Sequence, residues 1–130
     1  MEIFKKERTM ETTRNLNDIT KDFSEYLTNN KWRVQSNVEG DKAILQAQKF
    51  GFLRGLVAAD RALTFVFTSD GSQLKVQVGV GKLIGDIAVT AIEVILLSEI
   101  FIIVDVPEIA WSDHVETELL GELSNIANGE

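Results

Sequence analysis

Residues 87–104 read "IAVTAIEVILLSEIFIIV", with 12 Ile, Leu, Val and Phe residues and only two charges, Glu93 and Glu99. No other stretch of the chain restricts its fold as much. As a membrane span it sits at the short end of the usual length. On an insertion scale its apolar residues contribute about −4 to −7 kcal/mol and its two acids cost about +5 to +7 kcal/mol, a balance near zero. Read as a helix, it places Asp86, Thr90, Glu93 and Leu97 along one stripe, three or four residues apart. The result is a narrow wet edge and a very wide dry face. A helix lying on a small sheet buries only part of its circumference. The remaining dry surface needs a further cover: the last helix, a second copy, an apolar ligand or a bilayer surface. The end of the run, "IFIIVDV" at 100–106, is rich enough in Ile and Val to read equally as a fifth strand, and both readings stay open.

The chain before this run alternates in a simpler way. Residues 1–14 are polar and aperiodic and are expected to form a flexible tail, with 15–130 a single domain. Leu16, Ile19, Phe23, Tyr26 and Leu27 recur at helical spacing behind Asn15, a natural N-cap. That helix is predicted to stop at Asn29-Asn30 through a left-handed residue. "KWRVQSNV" puts Trp32, Val34 and Val38 on one face and Arg33, Gln35 and Asn37 on the other, the pattern of a half-buried strand. Glu39-Gly40-Asp41 turns it into "KAILQAQKF". "RALTFVFT" follows, with Leu63, Phe65 and Phe67 on one side. Asp70-Gly71 carries a hairpin signal into "QLKVQVGV", with Leu74, Val76, Val78 and Val80 inward. After the apolar run, Asp105 and Glu108 mark a helix restart. A last helix turns Val115, Leu119, Leu120, Leu123 and Ile126 inward. The predicted fold is α+β: an N-terminal helix, a four-stranded antiparallel meander, and two C-terminal helices packed on the sheet in a two-layer domain.

Charge is distributed unevenly. The net charge is −7. All 13 Lys and Arg lie at or before Lys82 with 10 acids, giving 13 − 10 = +3 for residues 1–85; residues 86–130 hold 10 acids and no Lys or Arg, giving −10. A solvated acidic C-terminal region is the expected meaning, and a nucleic-acid partner is not expected. There are no cysteines, so disulfides, thiolate zinc sites and Cys nucleophiles are excluded. "MEIFKKERTM" contains no apolar leader core, which makes the cytoplasm the expected location, with membrane association the alternative.

"VQVGVGKLIGD", Val76 to Asp86, places three glycines and a lysine where a strand runs on toward the apolar segment. A dinucleotide fingerprint needs G-x-G-x-x-G, but Ile84 stands at the third position and Gly85 comes one residue late. A phosphate loop needs Ser or Thr after Gly-Lys, and Leu83 follows Gly81-Lys82. Both motifs also need a parallel βαβ unit. The glycines are therefore expected to form a structural joint. His114, the only histidine, lies beside Asp113 in an acidic stretch and suits a surface or capping role. No catalytic residues, metal ligands or cofactor sites are nominated. Arg54, Asp60 and Arg61 in "LRGLVAADRALTF" are the one polar cluster in an apolar setting: an ion pair pinning a loop, or a clamp for a ligand's polar head. Trp32 and Trp111 are expected in the core or at its rim.

The segments "YLTNNKWRVQS", "AILQAQK", "LRGLVAADRALTFVF" and "LKVQVGVGKL", followed by an apolar and a short amphipathic helix, resemble a family of small uncharacterised bacterial α+β domains. In that family a similar sheet precedes a Gly-Lys-aromatic joint and an apolar segment, sometimes behind a zinc ribbon. The resemblance runs from about Leu16 to Leu123. Leu83 departs from the aromatic, and without cysteine this chain has no zinc ribbon. The family has no established activity, so the resemblance implies a layout and no function.

The expected function is that of a non-enzymatic interaction domain that self-associates as a homodimer through the helix at 87–104. Ile92, Ile95, Leu96, Ile100, Phe101 and Ile103 are its candidate interface. Two alternatives stand beside it: a pocket for an apolar small molecule or lipid between sheet and helix, anchored by Arg54, Asp60 or Arg61, and peripheral membrane association.

Overall fold

Helix α1, Leu16–Asn29, begins where the sequence places it. The Asn15 side chain accepts the Asp18 N–H at 2.8 Å, answering one of the amides that a helix start leaves open. Leu16, Ile19, Phe23 and Leu27 form its buried stripe. The exit differs in detail from the expectation. Asn30 caps the helix, its side chain donating to the Tyr26 carbonyl at 2.7 Å. The left-handed residue is Lys31, with φ 71, and not either asparagine. Lys31 N–H returns to Thr28 and Trp32 N–H to Leu27. Those two bonds are the paired closure of a Schellman turn, and they fold buried Trp32 back onto the core.

The computed structural model describes residues 6–49, 61–97 and 118–129. Within them, strands β2 (Arg33–Glu39), β3 (Lys42–Gln48), β4 (Arg61–Asp70) and β5 (Gln73–Lys82) form the expected antiparallel meander. The expected tail is corrected over part of its length. Lys6–Glu11 form a strand, β1, paired antiparallel with β5, so the sheet has five strands in the order β1-β5-β4-β3-β2. The chain then crosses the sheet through α1 to reach the opposite edge. Thr12 and Arg14 hold this start in place. Thr12 Oγ1 donates to the Ala127 carbonyl at 2.6 Å, and Arg14 joins the Ile126 carbonyl at 2.9 Å to Asp22 at 2.8 Å.

One face of the sheet carries the main core. Ala43, Leu45, Leu63, Phe65, Phe67, Leu74, Val76, Val78 and Val80 point to it and are buried. Phe23 of α1 meets Phe65 edge to face with ring centres 5.1 Å apart. Helix α3, Leu120–Ala127, lies in the same layer as α1 and buries Leu120, Leu123 and Ile126.

The other helix is arranged differently from the expectation. The continuous helix predicted from Ile87 begins only at Ile92: residues 85–89 are turns, residue 90 is a bend, and α2 runs Ile92–Leu97. It packs against β2 and β3 on the face opposite α1 and α3, so the two-layer arrangement gives way to three layers. Ile87, Ile92 and Ile95 close over Ile44 and Val66 there. The 98–117 portion of the C-terminal region, including the choice of helix or strand for 100–106, lies outside the described residues. Among the described residues, no helix is long and apolar enough to cross a membrane.

This second face is mostly polar, and Gln46 holds it together. Gln46 Nε2 donates to Thr64 Oγ1 (3.2 Å) and to the Lys82 carbonyl (2.8 Å). Its Oε1 accepts Gln35 Nε2 and the Ile84 N–H, both at 2.9 Å. All four hydrogen-bonding positions of the amide are filled, while the residue is only 1 % exposed. The network turns the chain leaving β5 back across the sheet. Gln46→Leu is therefore expected to lower the unfolding free energy by about 2–4 kcal/mol, because partners stay buried without bonds; urea unfolding with an unchanged slope checks this. Lys31→Gly is expected to raise stability by about 0.5–1 kcal/mol, since glycine takes positive φ without a Cβ clash, and thermal melts read that gain.

Candidate functional site

The features best suited to recognition converge on β2. Its hairpin with β3 is closed by Gly40-Asp41, with φ +59 at Gly40 and no positive φ at Asp41. That is the pattern of a type II′ turn, in which the flanking Glu39 and Lys42 form a hydrogen-bonded pair. Alternation along the ladder then aims the N–H and C=O groups of Arg33, Gln35, Asn37 and Glu39 at β3. Those of Val34, Ser36 and Val38 point away. Among the described residues no strand pairs with that outer side.

The side chains of β2 divide the same way. The odd-numbered residues face α2 and hold the chain that leads into it. Gln35 Nε2 donates to the Ile84 carbonyl at 2.7 Å, and Asn37 Nδ2 donates to the Thr90 carbonyl at 2.9 Å. Glu39 Oε1 accepts the Ile92 N–H at 2.6 Å, capping α2 with a carboxylate. The even-numbered residues face α1. Ser36 and Val38 form one wall of an open groove of about 430 Å³, whose other wall is the flank of α1 carrying Thr20, Lys21, Ser24 and Glu25. The two charges lining it, Lys21 and Glu25, are opposite in sign. Thr20 is 2 % exposed, and its hydroxyl has no hydrogen-bond partner among the described residues. A buried hydroxyl left this way costs free energy unless something else answers it.

The residues singled out in the sequence are distributed otherwise. Arg61 opens β4, half-buried, with its carbonyl accepting Gln48 Nε2 at 2.9 Å. Arg54 and Asp60 lie outside the described residues, as do His114 and Trp111. Of the candidate interface, Ile92 and Ile95 are buried against the chain's own sheet and Leu96 packs partly against the same cluster. Ile100, Phe101 and Ile103 lie outside the described residues. Among the described residues of this segment, the large apolar side chains turned outward are Val89 and Val94, 85 % and 61 % exposed. Gly79 and Gly81 lie within β5, opposite Thr64 and Ala62. No helix starts at Gly85, so the expected strand-to-helix joint is instead a strand followed by turns. Among the described residues, no group of His, Asp and Glu is arranged to hold a metal ion.

Tyr26, between α1 and α3, is the described group whose ionisation shifts. Burial, and then the charges of Glu122 and Glu118, push its phenol above the ordinary value. This acidic surround lies on the α3 side and does not enter the groove beside β2.

No known protein family, curated protein sequence or solved structure matches the chain.

Thr20→Val is expected to raise the unfolding free energy by about 1–2 kcal/mol in dilute protein, by removing a hydroxyl that is dehydrated without a partner. Urea unfolding below micromolar concentration measures it, and a loss of stability would mean that the hydroxyl is bonded after all.

Proposed function

We propose that this chain is a non-enzymatic interaction domain that works as a homodimer. The reading is carried by Val89 and Val94, which extend into solvent from a segment whose neighbours Ile87, Ile92 and Ile95 are buried. Among the described residues, the apolar run thus has dry flank that the chain's own sheet does not take up, and apolar surface left in water favours a second cover. Of the residues the sequence suggests for this contact, Ile92 and Ile95 are buried against the sheet and Leu96 is half-buried, and the outward valines lie beside them. These lie close to β2, because the Thr90 carbonyl and the Ile92 N–H are held by Asn37 and Glu39.

The net charge of −7 supports a protein partner over a polyanion, since nucleic-acid affinity grows with the number of phosphates neutralised. Analytical ultracentrifugation of the full chain at tens of micromolar is expected to show a dimer. Replacing both outward valines (Val89→Asp with Val94→Asp) is expected to raise the dissociation constant at least about tenfold, the effect of losing roughly 1.4 kcal/mol of contact. A monomer at those concentrations would refute the reading.

A further inference from the structure

We infer that the dimer forms by antiparallel pairing of β2 with β2 of a second copy, across a two-fold axis through Ser36. This rests on the proposed self-association and adds to the outward valines a second contact, made by the sheet edge next to them. Among the described residues, the outer side of β2 has no strand paired with it. Native sheets usually blunt an edge with charge, proline or a bulge. β1, the other edge, has four charged residues of six. β2, "RVQSNVE", has an uncharged centre, an unbroken register with β3, and charges only at its two ends.

The strand also complements itself. An antiparallel partner centred on Ser36 sets Arg33 opposite Glu39, Val34 opposite Val38 and Gln35 opposite Asn37. Each match then occurs twice by symmetry. The outward N–H and C=O groups belong to Val34, Ser36 and Val38, and this register brings all of them together in hydrogen-bonded pairs. Shifting the partner by two residues leaves one of those residues unpaired and sets Arg33 against Asn37, or Glu39 against Gln35. Opposed charges at both ends therefore select a single register. Arg33 and Glu39 are both exposed and sit at the rim of such an interface. They specify pairing more than they strengthen it.

The groove beside α1 suits the same partner. A strand laid along β2 places its Val34 and Val38 side chains beside α1, and Val34 of the incoming copy meets the groove-lining Val38. The groove lining holds one positive and one negative residue, so the groove itself carries no net charge. The other flank is already covered, because Gln35, Asn37 and Glu39 hold the 84–92 segment.

The test uses the full chain. Arg33→Glu changes an exposed side chain and sets like charges opposite each other at both ends of the interface. It is expected to raise the dimer dissociation constant at least tenfold. Because the chain has no cysteine, Ser36→Cys provides an independent readout. Under mild oxidation it is expected to give a covalent dimer far faster than Thr13→Cys, an exposed control position away from β2. A stable dimer that is unaffected by Arg33→Glu and crosslinks no faster through Ser36→Cys than through Thr13→Cys overturns the β2 pairing and leaves self-association standing. A chain that stays monomeric overturns both.

Discussion

The side-chain amide of Gln46 holds the second layer of this protein in place. A sheet with one apolar face can recruit helices by burial alone, as it does with α1 and α3. Its reverse face presents glutamines, threonines and few apolar groups, so burial there has little to act on. The chain leaving β5 is turned across that face because two carbonyls, a hydroxyl and an amide find their complements in Gln46 and Gln35. Only then do Ile87, Ile92 and Ile95 come to rest over Ile44 and Val66. Hydrophobic contact stabilises this layer, and directional bonds decide where it sits. Such a network is worth keeping only when complete, since a half-satisfied buried amide is more costly than an apolar side chain of the same size.

The same division of labour reaches the edge of the sheet. Each odd-numbered side chain of β2 from Gln35 to Glu39 bonds to the segment leading into α2. Ser36 and Val38 shape the groove beside α1. The outward backbone groups are what remains, and they suit a partner of like geometry. An arrangement of this kind makes recognition depend on main-chain pairing, with side chains choosing orientation and register.

Much of this architecture was legible from residue spacing. Asn15 with Leu16, Ile19, Phe23 and Leu27 announces α1; alternating faces announce β2, β4 and β5, and the turn at Glu39-Gly40-Asp41 places β3. The strand β1 was hidden because "KERTME" is mostly charged; Met10 is its one apolar residue packed against the core, and the rest of its pairing is backbone, which has no residue signature. Lys31 was missed because left-handed turns were sought at asparagine, while Asn30 uses its amide on the Tyr26 carbonyl. The apolar run was recognised as unusual, but a period of 3.6 cannot tell which face of a sheet a helix will choose. That choice came from Gln46, which reads in sequence as an ordinary polar strand position. The groove beside β2 was invisible for a related reason: whether a strand lies at an edge depends on strand order, a property of the whole fold. Arg61, singled out for its charge, has its carbonyl bonded to Gln48, while Arg54 and Asp60 of the same cluster lie outside the described residues.

The bonds from Thr12 and Arg14 to the carbonyls of Ala127 and Ile126 have a dynamic consequence. Chain ends ordinarily fray independently, each at its own small free energy. Here the segment after the first strand caps the last helix, and Asp22 fastens both to the helix between them. Peeling either extremity breaks the same knot, so amide protons in both should exchange with solvent through one shared opening, as members of a single cooperative unit.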